Sequence, residues 1–261
     1  MERKEIMDWI YGRMDEDARL SQSRHGQLEY RTTMHYIHRF VPAGAKVLEV
    51  GAGTGRYSVA LAREGCDVTA VELVEHNLAL LRRNGAGLSN LRAIQGDAVD
   101  LSAFADGSFD ATLVLGPLYH LYEPEEQHRA LDEAIRVTRR GGVVMTAFLS
   151  VYEILYNNYL QGDFCAGVAE NFDAAGRVRH FREQAFTGFD IGEWEALFAE
   201  KPVRPLALAG TDSVLEMAER LPDFQMSDQE FERFAAFHLA TCEKRELLGR
   251  QTHLLHICEK C

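Results

Sequence analysis

Several things are scarce in this 261-residue chain, and each absence narrows what it can be. No apolar run approaches the roughly 20 residues that a membrane-crossing helix needs. The opening Met1-Glu2-Arg3-Lys4-Glu5 leads into a mixed polar pattern, not the apolar centre of a secretory signal, so a cytoplasmic protein without membrane attachment is expected. Basic charge is in short supply: 28 Lys and Arg face 40 Asp and Glu, a formal charge of −12. That field repels a phosphate backbone, and the pairs Arg82-Arg83 and Arg139-Arg140 are too isolated to form a track, so no nucleic-acid partner is expected. The five cysteines, Cys66, Cys165, Cys242, Cys258 and Cys261, are odd in number and scattered, as suits reduced thiols. Internal repeats, low-complexity tracts and Pro/Ser-rich linkers are also missing.

What is present is an alternation of short β-branched runs with helical patterns, the signature of a parallel sheet covered on both faces. Strands are expected at 46–50, 67–72, 91–95, 110–115, 142–149, 205–209 and 252–258. Helices are expected over 31–40, 57–64, 77–84, 125–139, 194–200 and 228–248. The fold class is therefore α/β, a Rossmann-like doubly wound sheet of seven strands, mostly parallel with the last antiparallel. Residues 1–40 read as a helical cap and 41–150 as the ligand-binding core. Residues 151–190 form an aromatic-rich insertion after the fifth strand, and 191–261 complete the sheet.

The chemistry concentrates in Glu49-Val50-Gly51-Ala52-Gly53-Thr54-Gly55-Arg56-Tyr57, directly after the first strand. Glycines there let the chain turn sharply and let backbone approach a ligand. Glu72 ends the second strand, where an acid accepts hydrogen bonds from the ribose of an adenosine-containing ligand. The dinucleotide fingerprint G-x-G-x-x-G is broken, because Arg56 stands at its last glycine. The pattern is instead E-x-G-x-G-x-G, which resembles motif I of class I methyltransferases.

Further motifs extend the resemblance over roughly residues 20–258. Gln95-Gly96-Asp97-Ala98 is similar to the family's acidic motif, whose carboxylate receives the adenine amino group. Leu115-Gly116-Pro117-Leu118-Tyr119-His120 resembles the fourth-strand motif of a bacterial small-molecule subgroup, and 238–243, 248–249 and 253–255 resemble its C-terminal helix and last strand. The resemblance implies S-adenosyl-L-methionine as cofactor, S-adenosyl-L-homocysteine as product and a small-molecule acceptor. It implies cofactor contacts from Glu49, Gly51, Ala52, Gly53, Gly55, Tyr57, Glu72, Leu73, Asp97, Ala98, Leu115 and Gly116. A carboxylate such as Glu49 suits a cationic sulfonium and ammonium better than a pyrophosphate. The Asn/Asp-Pro-Pro-Tyr motif of enzymes that methylate base or glutamine amides is absent, which disfavours those acceptors.

His120 is the candidate general base, with Tyr119 beside it, because ligands bind at strand C-termini in such folds. Tyr119 and Tyr122 are neighbours that could orient an acceptor or pack against the sulfonium, and His120 could instead cap the next helix or order a loop. His25 and Tyr30, in a polar cluster, are candidate lid residues or an ordinary helix start. Tyr152 and Tyr156 recur with Tyr159 at helical spacing, as packing or as a substrate cage. No metal site is expected: His253 and His256 diverge along a strand, and the terminal cysteines lack a second pair. Two rival readings stay open, a nicotinamide-dependent oxidoreductase and a methyltransferase-like module that binds without turnover. The oligomeric state is not legible.

Overall fold

A computed structural model describes residues 3–182 and 184–261. The N-terminal segment carries α1 (Arg3–Tyr11), α2 (Arg19–Gln22) and α3 (Arg24–Phe40). The core follows as β1 (Lys46–Val50), α4 (Arg56–Arg63), β2 (Asp67–Glu72), α5 (Glu75–Asn84), β3 (Leu91–Gln95) and β4 (Phe109–Val114). After a single 3-10 turn (Pro117–His120) come α6 (Pro124–Val137) and β5 (Thr138–Ser150). Then α7 (Val151–Tyr159), α8 (Phe164–Asn171), β6 (Gly188–Phe189), α9 (Ile191–Phe198) and β7 (Val203–Gly210) lead on. The chain closes with α10 (Leu215–Glu219), α11 (Asp228–Thr241), α12 (Arg245–Leu248) and β8 (His253–Lys260). No helix of the described residues is long and apolar enough to cross a membrane.

The strands run in the order β3-β2-β1-β4-β5-β8-β7. The pairs from β3 through to β5 are parallel, and β8 lies antiparallel between β5 and β7. Alternation along β1 explains the two-sided cover: Val47 packs with Tyr36, Ile37 and Leu61 on one face, and Leu48 and Val50 pack with Leu131, Ile135 and Trp194 on the other. The chain passes from β1 outward to β2 and β3, then returns to β4 on the other side of β1. The crevice at the β1/β4 switch, beyond the strands' C-terminal ends, is where such sheets bind ligands.

Three expectations need correction. The sheet has eight strands, because Gly188–Phe189, inside the segment read as an insertion, pairs with the end of β5. The helix expected over 228–248 breaks into α11 and α12; the Cys242 carbonyl accepts from the Gly210 N–H of β7, and Lys244 is extended. The helix expected to begin at residue 31 begins at Arg24, with the Ser23 hydroxyl capping it by accepting from the Gly26 N–H. His25 and Tyr30 therefore lie on a helix.

Trp194 joins the C-terminal half to the core. It is fully buried, stacked on Phe148 at 4.2 Å and edge-on to Phe189 at 5.0 Å. Trp194→Ala should lower the unfolding free energy by about 3–5 kcal/mol in urea denaturation. A loss below about 1 kcal/mol would contradict this packing role.

Candidate functional site

The cleft is built from the C-terminal ends of four parallel strands. After β1, Gly51 and Gly53 adopt φ of 71° and 56°, left-handed backbone that a side chain disfavours. A Cβ on Gly51 would also come within 2.5 Å of Pro117, so β1 and the turn after β4 close on each other only because this residue is glycine. Gly51 and Ala52 both donate to the Val71 carbonyl, which ties the turn to β2.

At the end of β2, the Glu72 carboxylate accepts from the Gly53 N–H at 2.7 Å and the Val74 N–H at 2.8 Å. Burial pushes this carboxyl up to about 7, against the pull of those donors. Glu49, one strand over, is 2% exposed and accepts from the Ser58 hydroxyl. Burial raises it to about 8. After β3, Asp97 takes an ion pair from Arg3 of α1, and its Oδ1 accepts from the Val99 N–H at 3.2 Å.

Beyond β4 the 3-10 turn supplies Tyr119 and His120. The Ala185 carbonyl can only accept, so at 2.9 Å it fixes the proton of His120 on Nδ1. Nε2 then accepts from the Tyr11 hydroxyl at 2.7 Å. Burial holds the imidazole down at about 4, so it is neutral at physiological pH. The Tyr119 hydroxyl donates to the Leu115 carbonyl at 3.3 Å.

The N-terminal segment forms the opposite wall, with Arg3, Met7, Tyr11, Glu16 and Arg19 lining a cleft of about 950 Å³, its open mouth included. Arg19 is clamped by Glu16 at 3.0 Å and, through two guanidinium nitrogens, by Glu29 at 2.8 and 3.2 Å. Behind Glu29 stands His253, 2.7 Å from the fully buried Asp212. Burial alone would lower the His253 imidazole, yet Glu29 and Asp212 raise it to about 9. Acid and base thus alternate from the cleft wall to β8.

Most of the expected residues meet in this cleft: Ala52 beside the two glycines, Tyr57 on α4, Leu73 after Glu72, Ala98 after Asp97, and Leu115 with Gly116 after β4. Gly55 lies beneath the lining as the N-cap of α4, against Leu81. The other candidates sit elsewhere. His25 binds Glu219 at 2.6 Å, and Tyr30 stacks on the outside of Tyr57, with Arg56 over its ring. Tyr122 is buried behind His120, its hydroxyl 3.5 Å from the same Ala185 carbonyl. Tyr152 packs on Phe172 and Tyr156 on Phe164, in the α7–α8 pair away from the cleft lining.

Arg3, Tyr11, Glu16, Arg19 and Asn77 line the cleft but escaped sequence reasoning. For the first four there was no local signal, since the N-terminal segment reaches the site only through the tertiary fold. Asn77 did carry one: an amide four residues before Leu81, on the helix face that packs inward.

Residues 48–146, which span β1 to β5, match the family model described as a methyltransferase domain. The match contains the glycine turn, Glu72, Asp97 and His120, and excludes the N-terminal wall. A demethylmenaquinone methyltransferase of Clavibacter sepedonicus is 39% identical over 103 residues, 40% of each chain. A glycine/sarcosine N-methyltransferase of Parasynechococcus marenigrum is 34% identical over 113 residues, 42% of this chain and 40% of that one. The chain thus spans less than half the length of these curated relatives. Among solved structures, a possible histamine N-methyltransferase of Thermotoga maritima superposes over 100% of both chains with a TM-score of 0.62 and 16% identity, a likeness of fold.

The cleft holds two carboxyls whose folded pKa lies above the unfolded value of 4.5. Each favours the folded state fully below that value and costs stability as pH rises through about 7 to 8. Glu49→Gln should therefore stabilise the ligand-free protein by about 1–3 kcal/mol near pH 8 and by little near pH 5. Equal effects at both pH values in thermal unfolding would show that the carboxyl does not titrate as described.

Proposed function

We propose that the protein is an S-adenosylmethionine-dependent methyltransferase acting on a small molecule. One observation carries the reading: Glu49, Glu72 and Asp97, from three adjacent strand ends, face a single cleft around a glycine turn. The residues fit this cofactor. Two backbone N–H groups orient Glu72 and leave carboxylate lone pairs for the ribose hydroxyls. Asp97 stands one strand further out, where it can receive the adenine amino group. Glu49 lies at the turn, where a sulfonium and an ammonium would meet it. A pyrophosphate would instead be pressed against these carboxyls, which weighs against the nicotinamide reading.

When bound, the cofactor supplies an electrophilic methyl group to the acceptor's nucleophilic atom. The chain's part is to align the two and exclude water. Leu115, Gly116 and Tyr119 form the wall after β4, while Tyr11 and Arg19 close the opposite side. His120, neutral and already accepting from Tyr11, can take an acceptor's proton only through the Tyr11 oxygen or after that bond breaks. The enclosure by the N-terminal segment supports a small acceptor. Its identity stays open, since one relative's name carries demethylmenaquinone and another's glycine and sarcosine.

Glu72→Ala should weaken binding of S-adenosylhomocysteine ten- to a hundredfold, the equivalent of about 1.5–3 kcal/mol, in calorimetric titration. Unchanged affinity in a folded variant would remove Glu72 from the ribose contact. A second expectation follows from the raised carboxyls, which are largely protonated near pH 6 and must ionise to meet a cation. Binding of S-adenosylmethionine should release protons, and its affinity should rise between about pH 6 and 8. Titration in two buffers of different ionisation enthalpy reads the proton count; no release at pH 7 would contradict the assignment.

A further inference from the structure

The acid read above as the adenine partner is already engaged. Asp97 Oδ1 accepts from the Val99 N–H, and Oδ2 pairs with the guanidinium of Arg3, on the first turn of α1. A guanidinium is a stronger partner for a carboxylate than a neutral amino group, so Arg3 and an adenine meet at this oxygen on unequal terms. The rest of the N-terminal segment lies across the cleft in the same way. Tyr11, at the other end of α1, donates to His120, and a Cβ on Gly53 would stand 3.6 Å from the Glu16 side chain.

Packing holds α1 only lightly. Among the described residues, it places no side chain in the two apolar layers that cover the sheet. Its Met7 and Ile10 are buried instead in a small separate cluster with Val74, flanked by Leu73 and Phe186. Trp9, on its outer face, is 56% exposed. Beyond α1 the chain runs through the exposed residues 12–15 to α2, which is firmly anchored: Arg19 is clamped by Glu29, and Leu20 belongs to the layer of Tyr36 and Ile37. A short exposed stretch between a lightly held element and an anchored one is where a hinge works.

We propose that α1 is a hinged latch that competes with the cofactor: the Arg3–Asp97 ion pair closes it across the empty cleft, and the adenine amino group takes Asp97 over as Arg3 lets go. The inference rests on the cofactor reading above and adds a control on the same site. A ligand that needs Asp97 binds more weakly by the worth of the pair it breaks, whereas a ligand that leaves Asp97 alone binds with the latch shut.

The test is calorimetry of the full-length wild type and of Arg3→Met, which keeps an unbranched stem and removes the charge. The probes are S-adenosylhomocysteine and its purine analogue, which carries hydrogen in place of the adenine amino group. Arg3→Met should bind S-adenosylhomocysteine about fivefold more tightly than the wild type does, and the purine analogue no more tightly. In the wild type, amide hydrogen exchange over residues 7–11 of α1 should speed up when S-adenosylhomocysteine binds. Equal or weaker binding of S-adenosylhomocysteine by the variant would overturn the proposal, as would an equal gain with both probes. Slower exchange in the complex would also overturn it, because α1 would then close on the ligand and not yield to it. A wild type that binds no S-adenosylhomocysteine would overturn the cofactor reading itself, and this inference with it.

Discussion

The buried carboxylate of Glu72, gripped by the backbone N–H groups of Gly53 and Val74, is the joint on which the site depends. It fastens the glycine turn after β1 to the exit of β2, so the phase of the turn and the direction of α5 are set together. A carboxylate is costly to bury, and here burial leaves it poised near neutrality. Such a group is a poor stabiliser and a good receptor: hydroxyl donors or a nearby cation recover what folding gives up. Glu49 follows the same logic one strand away. The cleft thus keeps its buried acids under-satisfied, the usual cost of a preorganised polar site.

The N-terminal segment answers this with charge of its own. Arg3 pairs with Asp97, Tyr11 with His120, and Arg19 with Glu16 and Glu29. The last pair continues inward through His253 to Asp212, anchoring the wall to β8. A surface ion pair is worth little, whereas buried alternating charges satisfy one another and fix a unique geometry. These contacts cross from residues 3–29 to the ends of strands far along the chain, which gives the cleft a roof of definite chemistry. The roof lies outside the segment that matches the family model.

The core was legible in the sequence because its signals are local. A β-branched run, a glycine turn and an acid at the next strand's end stand within about one βαβ unit, and the structure brings Glu49, Gly51, Gly53 and Glu72 from it into one cleft. Tertiary bonds defeated the helix read over 228–248, since nothing local marks Cys242 as the partner of Gly210. Gly188–Phe189 is too short to show a period. The tyrosines Tyr152 and Tyr156 do recur at helical spacing, but the period says only that they share a face. The structure turns that face toward Phe172 and Phe164. Tyr11 and Arg19 were invisible for the opposite reason: their helices are short, and their meaning comes entirely from what lies across the cleft.

The most direct test of the account is a side-by-side calorimetric titration of the purified wild type with S-adenosylhomocysteine and with NAD. The account predicts one saturable site for S-adenosylhomocysteine and none for NAD. Saturable binding of NAD without binding of S-adenosylhomocysteine would contradict it, because the acids of the cleft would then be holding a pyrophosphate.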